Sequence, residues 1–317
     1  MRKNPNIMLV VPCYNEEEVL ESTASVLLEK IQILQDRHQV DKSSCIVFVD
    51  DGSSDKTWEN ISLLHDRYSS KIHGIKLAHN KGHQNALFAG LMYALDAGVD
   101  ACISLDADLQ DDPNAIDEMI ERYTEGDEIV YGVRDNRERD TFFKRTSAHA
   151  FYSLMKKLGA ETVPDHADYR LLSRTTLIAL SQYGESNLFL RGIVPSLGFK
   201  TSKVYYTRGV RIAGESKYPL RKMIAFAIDG ITSFSTKPLS LISAAGILSV
   251  VVSVIMLIYT VLSVFLGSAV AGWGSIMSSL WFLGGCILLA IGVVGEYVGK
   301  IYIEVKDRPR YIVEATL

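Results

Sequence analysis

A long stretch without charge near the C-terminus constrains this chain more than any other feature. No Asp, Glu, Lys, Arg or His occurs between Pro238 and Gly295. Because a helix needs roughly 20 apolar residues to cross the core of a bilayer, this length predicts two transmembrane helices, at about 239–266 and 276–294. A pair of buried core helices is the competing interpretation, and the absence of charge over such a length disfavours it.

The basic residues that flank this stretch predict its orientation. Arg221, Lys222 and Lys237 precede the first span, and the turn between the spans has no basic residue. Lys and Arg near membrane spans favour the cytoplasmic side, so we expect a multi-pass protein with both termini cytoplasmic. The first residues lead directly into a predicted strand, and we therefore expect no signal peptide. The basic residues after the second span are Lys300, Lys306, Arg308 and Arg310.

Residues 1–218 alternate short apolar runs with stretches of helical periodicity. Strands that alternate with helices predict an α/β fold with a doubly wound, mainly parallel sheet. Such sheets bind ligands outside the carboxyl ends of their strands, and polar clusters follow the runs here. A dinucleotide-binding Rossmann site is excluded because the turn after the first run, Pro12–Glu17, contains no glycine. The predicted strands are residues 7–11, 46–49, 72–77, 101–105 and 128–133, followed by a loop at 165–174 that enters a short strand and by a strand near 203–206.

An acidic cluster follows the fourth predicted strand, between Ser104 and Pro113. Its carboxylates repel one another unless a cation lies between them. Hard oxygen ligands suit Mg²⁺ or Mn²⁺, which reach a protein through one or two carboxylates plus substrate phosphates. A solvated acidic loop is the competing interpretation. The polar members of the cluster are Asp106, Asp108, Gln110, Asp111 and Asp112.

The net charge of −4 conceals a basic segment just before the apolar stretch. Arg191–Lys222 contains eight Lys or Arg and one acid, Glu215. From Leu220 the apolar residues follow a helical stripe, which predicts an amphipathic helix at 219–237 in the membrane interface. Packing of that helix on the globular domain is the alternative. This segment lies just before the predicted spans, and we expect the protein to have the membrane, and no nucleic acid, as a partner. The four cysteines lack metal-ligand spacing, which predicts free thiols.

The order of the motifs resembles that of family 2 glycosyltransferases with the GT-A fold, specifically the polyprenyl-phosphate glycosyltransferases. Dolichol-phosphate mannose synthase and the bacterial bactoprenol glucosyltransferases belong to this group. A single Asp-x-Asp motif is a weak signal, but the ordered set with the paired spans covers nearly the whole chain. The motifs are Val11-Pro-Cys-Tyr-Asn-Glu-Glu, Val49-Asp-Asp-Gly-Ser, Asp106-Ala-Asp-Leu-Gln, Asp168-Tyr-Arg-Leu-Leu and Arg211-x-x-Gly-x-Ser-Lys217.

The resemblance implies roles for individual residues. Asp106, Asp108 and Gln110 would bind Mg²⁺ or Mn²⁺ together with the diphosphate. Arg211 and Lys217 would lie on a mobile loop that closes over the phosphates and assists catalysis. The residues implied to hold the nucleotide sugar are Pro12, Tyr14, Asn15, Glu16, Val49, Asp50, Asp51, Lys81, Asp106, Ala107 and Asp108. As alternatives, Pro12 and Tyr14 only shape a turn, and Lys81 is a solvated surface residue.

The resemblance also implies an acceptor site and a candidate base. Arg134, Arg145 and Arg170 would bind the acceptor phosphate. Asp168 falls where the family base would lie, and a structural pairing with Arg170 is the alternative role. A base is optional here, because a phosphate monoester with a second pKa of about 6 is already largely dianionic at neutral pH.

The activity implied by the resemblance is that of an inverting hexosyltransferase. It would move one sugar from a nucleotide sugar, UDP-glucose or a UDP-N-acetylhexosamine, to undecaprenyl phosphate at the cytoplasmic face of the bacterial inner (plasma) membrane. A separate flippase would deliver the product for cell-envelope glycan modification, and a homo-oligomer is implied by resemblance alone. A processive polysaccharide synthase and a catalytically silent nucleotide-sugar-binding scaffold are the alternatives. The predicted domains are 1–218 (catalytic), 219–237 (interfacial helix), 238–295 (spans) and 296–317 (cytoplasmic tail).

Overall fold

The structure is a computed structural model. It describes residues 3–135, 166–185, 189–207, 209 and 272–317, with isolated positions between 239 and 255. The predicted interfacial helix at 219–237 and most of the first predicted span lie outside the described residues. Three predicted site residues also lie outside them, namely Arg145, Arg211 and Lys217.

A mixed β-sheet organises the described part of the domain, in the order β7-β5-β6-β4-β1-β2-β3-β8. Six strands run in one direction, whereas β6 is antiparallel to β4 and β5, and β8 is antiparallel to β3. The prediction of a mainly parallel sheet is therefore confirmed, but the antiparallel direction of β6 and the presence of β8 were not predicted. The strands are β1 (Ile7–Cys13), β2 (Cys45–Asp50), β3 (Ile72–Leu77), β4 (Ala101–Ser104), β5 (Ile129–Arg134), β6 (His166–Ser173), β7 (Thr201–Tyr206) and β8 (Val313–Thr316).

Helices cover both faces of this sheet, as expected for a doubly wound fold. Helices α1, α2 and α4 pack on the face to which Leu9 and Val11 belong. Helix α3 packs on the opposite face, where a Cβ at Gly90 would lie 2.4 Å from Val10 Cγ1, so only glycine permits this approach. Burial on both faces explains the continuous apolar runs of the strands. The helices of this part are α1 (Leu20–Asp36), α2 (Thr57–Arg67), α3 (His83–Asp96), α4 (Ala115–Thr124), α5 (Arg174–Ser181) and α6 (Leu190–Ser196).

The C-terminal residues belong to this domain as well. Strand β8 pairs with β3, and Leu317 and Gly74 exchange backbone hydrogen bonds of 2.8 and 3.2 Å. The Arg310 guanidinium lies over the Phe88 ring of α3, 4.5 Å from its centre. The segment predicted as a cytoplasmic tail thus ends in an edge strand of the sheet.

A separate unit contains the long helix α7 (Trp273–Val305). Within it, Phe282–Val305 is long and apolar enough to cross a membrane, with a mean hydropathy of 1.8, and it is the one such helix among the described residues. The predicted second span, 276–294, lies inside α7, but this apolar window ends later, at Val305. Large side chains such as Leu288 and Ile291 are exposed along it, which is the surface expected of a helix that faces lipid.

Candidate active site

Three polar loops meet at the carboxyl edge of the sheet. Strands β4, β1 and β2 are adjacent and parallel, so the loops that follow them emerge side by side. These loops contain the residues predicted to bind a nucleotide and a metal. The strand order therefore brings together segments that lie up to about ninety residues apart in the sequence, as the topology of such sheets leads one to expect.

Hydrogen bonds join the loops after β1 and β2. Asn15 adopts a left-handed backbone conformation (φ 53°), which asparagine tolerates better than most residues. Its side-chain oxygen accepts from the Ser54 N–H at 2.9 Å, and its own N–H donates to Ser53 Oγ at 2.9 Å. The Glu16 N–H donates to Thr57 Oγ1 at 2.9 Å. Asn15 thus shapes the loops, while the neighbouring Tyr14 side chain is half exposed at the rim.

Asp50 and Asp51 lie buried at the end of β2. Asp51 accepts hydrogen bonds from the N–H groups of Lys81 (2.7 Å) and Gly82 (2.9 Å), so it holds the loop that follows β3. One Asp50 oxygen accepts from the Ser53 N–H at 3.1 Å, and the other has no hydrogen-bond partner within the described structure. Burial raises the pKa of both carboxyls. A buried oxygen without a partner is costly to maintain, which marks Asp50 as a candidate ligand contact.

The acidic loop after β4 is bent so that its carboxylates crowd together. Leu109 has a positive φ of 51°, and Asp108 Oδ1 accepts from the Gln110 N–H at 3.2 Å. Thr23 on α1 donates to the Ala107 carbonyl at 2.6 Å, which fixes the loop to the domain. Burial raises the pKa of Asp106, and the negative charges of Asp111, Asp168 and Asp108 raise it further, although the nearby His83 opposes this.

This loop fits a hard divalent cation, although it does not form a complete cage. No group of three or more His, Cys, Asp or Glu side chains converges as a metal site in the part of the chain that is described. Mg²⁺ needs only one or two carboxylates when substrate phosphates supply further ligands. Burial contributes most to the raised pKa of Asp106, and the repulsion from neighbouring carboxylates, which adds to it, is the part that such a cation would relieve. Asp106, Asp108 and Gln110 are therefore a suitable donor set, once a nucleotide diphosphate is bound.

Asp168 accepts hydrogen bonds from several side chains of the site. It forms a buried ion pair with Arg170 two residues later, and it accepts from Arg191 at 3.0 and 3.3 Å. Gln84 donates to it at 3.2 Å, and His83 Nε2 lies 3.5 Å away. Burial alone would raise the pKa of Asp168, but the His83 hydrogen bond and the two guanidinium charges hold it well below its ordinary value. A carboxylate so stabilised as an anion is a poor base.

The geometry corrects the expectation for Arg170. Its side chain is only 1% exposed, and its guanidinium also donates to the Leu190 carbonyl at 3.3 Å. An acceptor phosphate outside the domain therefore cannot reach it. The local reason is that Arg170 follows Asp168 by two positions in a strand, so both side chains point to the same, covered face. Of the other predicted phosphate ligands, Arg134 lies at the end of β5 and remains one-third exposed.

Three residues that contact Asp168 were not predicted as site residues. His83 and Gln84 begin α3, directly after the loop that Asp51 holds, and Arg191 is the second residue of α6. The position of His83 at the carboxyl edge of β3 was the available signal, since ligands bind such sheets at that edge. The pairing of Arg191 with Asp168 had no such signal. The two residues lie 23 positions apart on a helix and a strand, and no sequence pattern links those two elements.

The mixed sheet, the helices on both of its faces and the acidic loop at its carboxyl edge together define a GT-A-like α/β protein. A sequence model of the glycosyl transferase family 2 matches residues 8–180. The chain belongs to this family and is a glycosyltransferase, as the motifs indicated.

Full-length relatives agree with that assignment. YkoT of Bacillus subtilis, an uncharacterised glycosyltransferase, is 48% identical over 316 residues, which cover 100% of this chain and 93% of the relative. A prophage bactoprenol glucosyl transferase homologue of Escherichia coli is 37% identical over 97% of this chain and 98% of its own length. Glucosyl-3-phosphoglycerate synthase of Mycobacterium tuberculosis, solved with Mn²⁺, UDP-glucose and phosphoglyceric acid, aligns with a TM-score of 0.44 at 17% identity, over 72% of this chain and 78% of that one.

Proposed function

We propose that this protein is an inverting transferase that moves one sugar from a nucleotide sugar to a polyprenyl phosphate at the cytoplasmic face of the membrane. The donor would be UDP-glucose or a UDP-N-acetylhexosamine, and the acceptor undecaprenyl phosphate. The observation that carries the proposal is the acidic carboxyl edge of the sheet in a family 2 glycosyltransferase whose chain also contains a long apolar helix. The full-length relatives named for bactoprenol support the lipid acceptor.

The chemistry of the acceptor suits the state of Asp168. A polyprenyl phosphate is largely dianionic at neutral pH, so one of its oxygens can bond to the anomeric carbon while the bond from that carbon to the diphosphate breaks. The electron pair leaves with the nucleoside diphosphate, and no proton has to be removed. Asp168, held as an anion by Arg170 and Arg191, would then orient cations at the site instead of acting as a base.

Several residues would serve the leaving group. A divalent cation held by Asp106, Asp108 and Gln110 would neutralise the charge that develops on the diphosphate. Positive side chains placed close by, in a site closed to water, strengthen that effect; we propose Lys81, Arg211 and Lys217 for this role. Glu16 and Asp50 are negative, so we assign Glu16 and the Asp50 oxygen that has no partner among the described residues to the base or ribose of the nucleotide and not to its phosphates. Asp51 accepts from the Lys81 and Gly82 N–H groups, so it would hold the loop beside the nucleotide.

The pairing of β8 supports the proposed membrane topology. The chain leaves the catalytic domain before the apolar stretch, and the segment from Arg308 returns to the same sheet after it. A chain that starts and finishes on one side of a membrane crosses it an even number of times. This parity favours the predicted hairpin of two spans over a single crossing by α7, and the flanking Lys and Arg favour a cytoplasmic domain.

The decisive experiment offers the purified protein a panel of nucleotide sugars with undecaprenyl phosphate and Mg²⁺ or Mn²⁺, and analyses the lipid by mass. One donor should yield a lipid heavier by a single hexose or N-acetylhexosamine residue. Asp108→Asn should abolish the product. Asp112→Asn is the matched control, because Asp112 bonds to Asn114 within the same loop and should leave transfer intact.

The possible outcomes separate the proposal from its alternatives. Products with more than one sugar per lipid would favour a processive synthase. Binding of a nucleotide sugar without transfer from any donor would favour a silent scaffold. Transfer at the normal rate by the Asp108→Asn protein would show that the metal assignment is wrong.

A further inference from the structure

A second polar cluster adjoins the acidic loop and is not used by the mechanism above. Asp111 is only 2% exposed. Its Oδ1 accepts from the Tyr206 hydroxyl at 2.5 Å and from Arg134 Nη2 at 3.4 Å. Its Oδ2 is buried and has no hydrogen-bond partner among the described residues. We call Asp111, Arg134 and Tyr206 the rim cluster.

The rim cluster lies where three segments converge. Arg134 and Tyr206 end the parallel strands β5 and β7 and stand opposite each other in register. Arg134 Nε donates to the Tyr206 hydroxyl at 3.3 Å, and the Asp135 N–H donates to the Tyr206 carbonyl at 2.9 Å. Asp111 meets this pair from the acidic loop. The Arg134 guanidinium is therefore fixed from two sides, while one-third of its side chain still faces solvent.

The cluster also ties the acidic loop to strands β6 and β7. The Gln110 carbonyl accepts from the Gly209 N–H at 2.8 Å, three residues after β7 ends. The Asp112 carbonyl accepts from the Tyr169 hydroxyl at 3.0 Å, and the Tyr169 ring packs edge-on against Tyr206 with 5.3 Å between ring centres. Three consecutive loop residues, Gln110 to Asp112, are thus anchored beside Arg134.

Stability alone does not account for this arrangement. A buried carboxylate with an unpartnered oxygen costs the folded state free energy, and well-packed apolar side chains in its place are often as stable or more so. Such costly groups persist where they place a charge or a donor for binding. Here the placed group is the partly exposed guanidinium of Arg134.

We infer that Asp111 and Tyr206 are positioning residues for the acceptor phosphate. They hold the Arg134 guanidinium at a fixed distance from the acidic loop, so that the site for the acceptor's phosphate and the site for the donor's diphosphate keep one geometry. This inference rests on the proposed function, and Asp111 itself touches neither substrate.

The test is Tyr206→Phe in the full-length protein, with initial rates measured while acceptor and donor are varied separately. The KM for undecaprenyl phosphate should rise about tenfold, as expected for loss of hydrogen bonds to two charged groups, while the KM for the donor changes less than about twofold. In an Arg134→Ala background the same substitution should have no further effect on the acceptor KM. Tyr205→Phe is the matched control, since Tyr205 is exposed on the other face of β7 and should change neither constant.

A second readout does not depend on transfer. An isoprenyl monophosphate should raise the thermal midpoint of the wild type and of Tyr205→Phe, and Tyr206→Phe should need about tenfold more of it for the same shift. A wild type that binds this probe but transfers no sugar would disprove the proposed function. Comparing probe binding by the wild type and by Tyr206→Phe would still test whether Tyr206 positions Arg134. The positioning role would be overturned if Tyr206→Phe left the acceptor KM and the probe affinity unchanged. This holds even if the variant had a lower melting temperature and a lower kcat, since those changes would indicate a purely structural role.

Discussion

The substitution Asp168→Asn tests whether Asp168 acts as a structural anchor or as a catalytic base. The substitution keeps the shape of the side chain but removes the charge that faces Arg170 and Arg191. Arg170 is almost completely buried, and its Nε already has no hydrogen-bond partner in the described structure. The variant would therefore leave a buried guanidinium without a counter-charge. The Arg191 side chain is 36% exposed and can be solvated, so loss of its ion pair with Asp168 should add little to the destabilisation of the fold.

The magnitude follows from this burial. Removing one partner of a buried ion pair costs about 3–5 kcal/mol. For a domain of 150–250 residues, each 1 kcal/mol lowers the melting temperature by about 2–4 °C, so Asp168→Asn should melt about 6–20 °C below the wild type at pH 7. A double variant, Asp168→Asn with Arg170→Met, should recover most of this loss, because it removes the unpaired charge as well.

Thermal unfolding of the purified protein, followed by circular dichroism, measures this difference. Glu314→Gln is the control, because Glu314 pairs with Lys76 at 2.9 Å on the exposed edge of the sheet, and such pairs contribute less than about 1 kcal/mol. The pKa of Asp168 is depressed, so its stabilisation is present at neutral pH and is lost as the pH falls through that low value. The gap between wild type and variant should thus be constant above about pH 5 and narrow below about pH 4. A variant as stable as Glu314→Gln but inactive would refute the anchor and favour the base.

Further predictions concern the metal loop, the C-terminal strand and the membrane topology. Asp106→Asn should abolish transfer yet raise the melting temperature at pH 7, because the raised pKa of Asp106 makes its ionised form unfavourable in the fold; the gain should vanish below about pH 4. Mn²⁺ with UDP should raise the melting temperature of the wild type but not of Asp108→Asn, and an equal rise in both would contradict the ligand assignment. Deleting residues 308–317 should destabilise the domain by at least about 1–2 kcal/mol, since Leu317 packs against the core, as measured by urea unfolding. A cysteine at Ser268 should react with an impermeant reagent from outside the cell, whereas one at Glu314 should react only after lysis; the reverse pattern would contradict the hairpin.

The sequence alone determined which elements form and where chemistry gathers. Apolar runs that end in polar clusters predicted strands β1 to β5 to within about two residues, because periodicity and turn residues are local signals. The acidic cluster after β4 and the Asp50–Asp51 pair after β2 had to share an edge once the strands were parallel. The ordered motifs likewise indicated a family 2 glycosyltransferase, which the family model over residues 8–180 confirms, and the apolar stretch predicted membrane spans without any knowledge of distances.

Only the tertiary structure decided which side chains meet. The partners of Asp168 come from β6, α3 and α6, and the direction of β6 settles that Arg170 points into the domain. The pairing of Asp111 with Tyr206, 95 positions away, and the return of Val313–Thr316 to the edge at β3 depend on strand order and register. Such contacts join segments whose local patterns are independent of one another. These contacts are stabilised by packing between segments that are distant in the sequence, and local sequence patterns do not predict such packing.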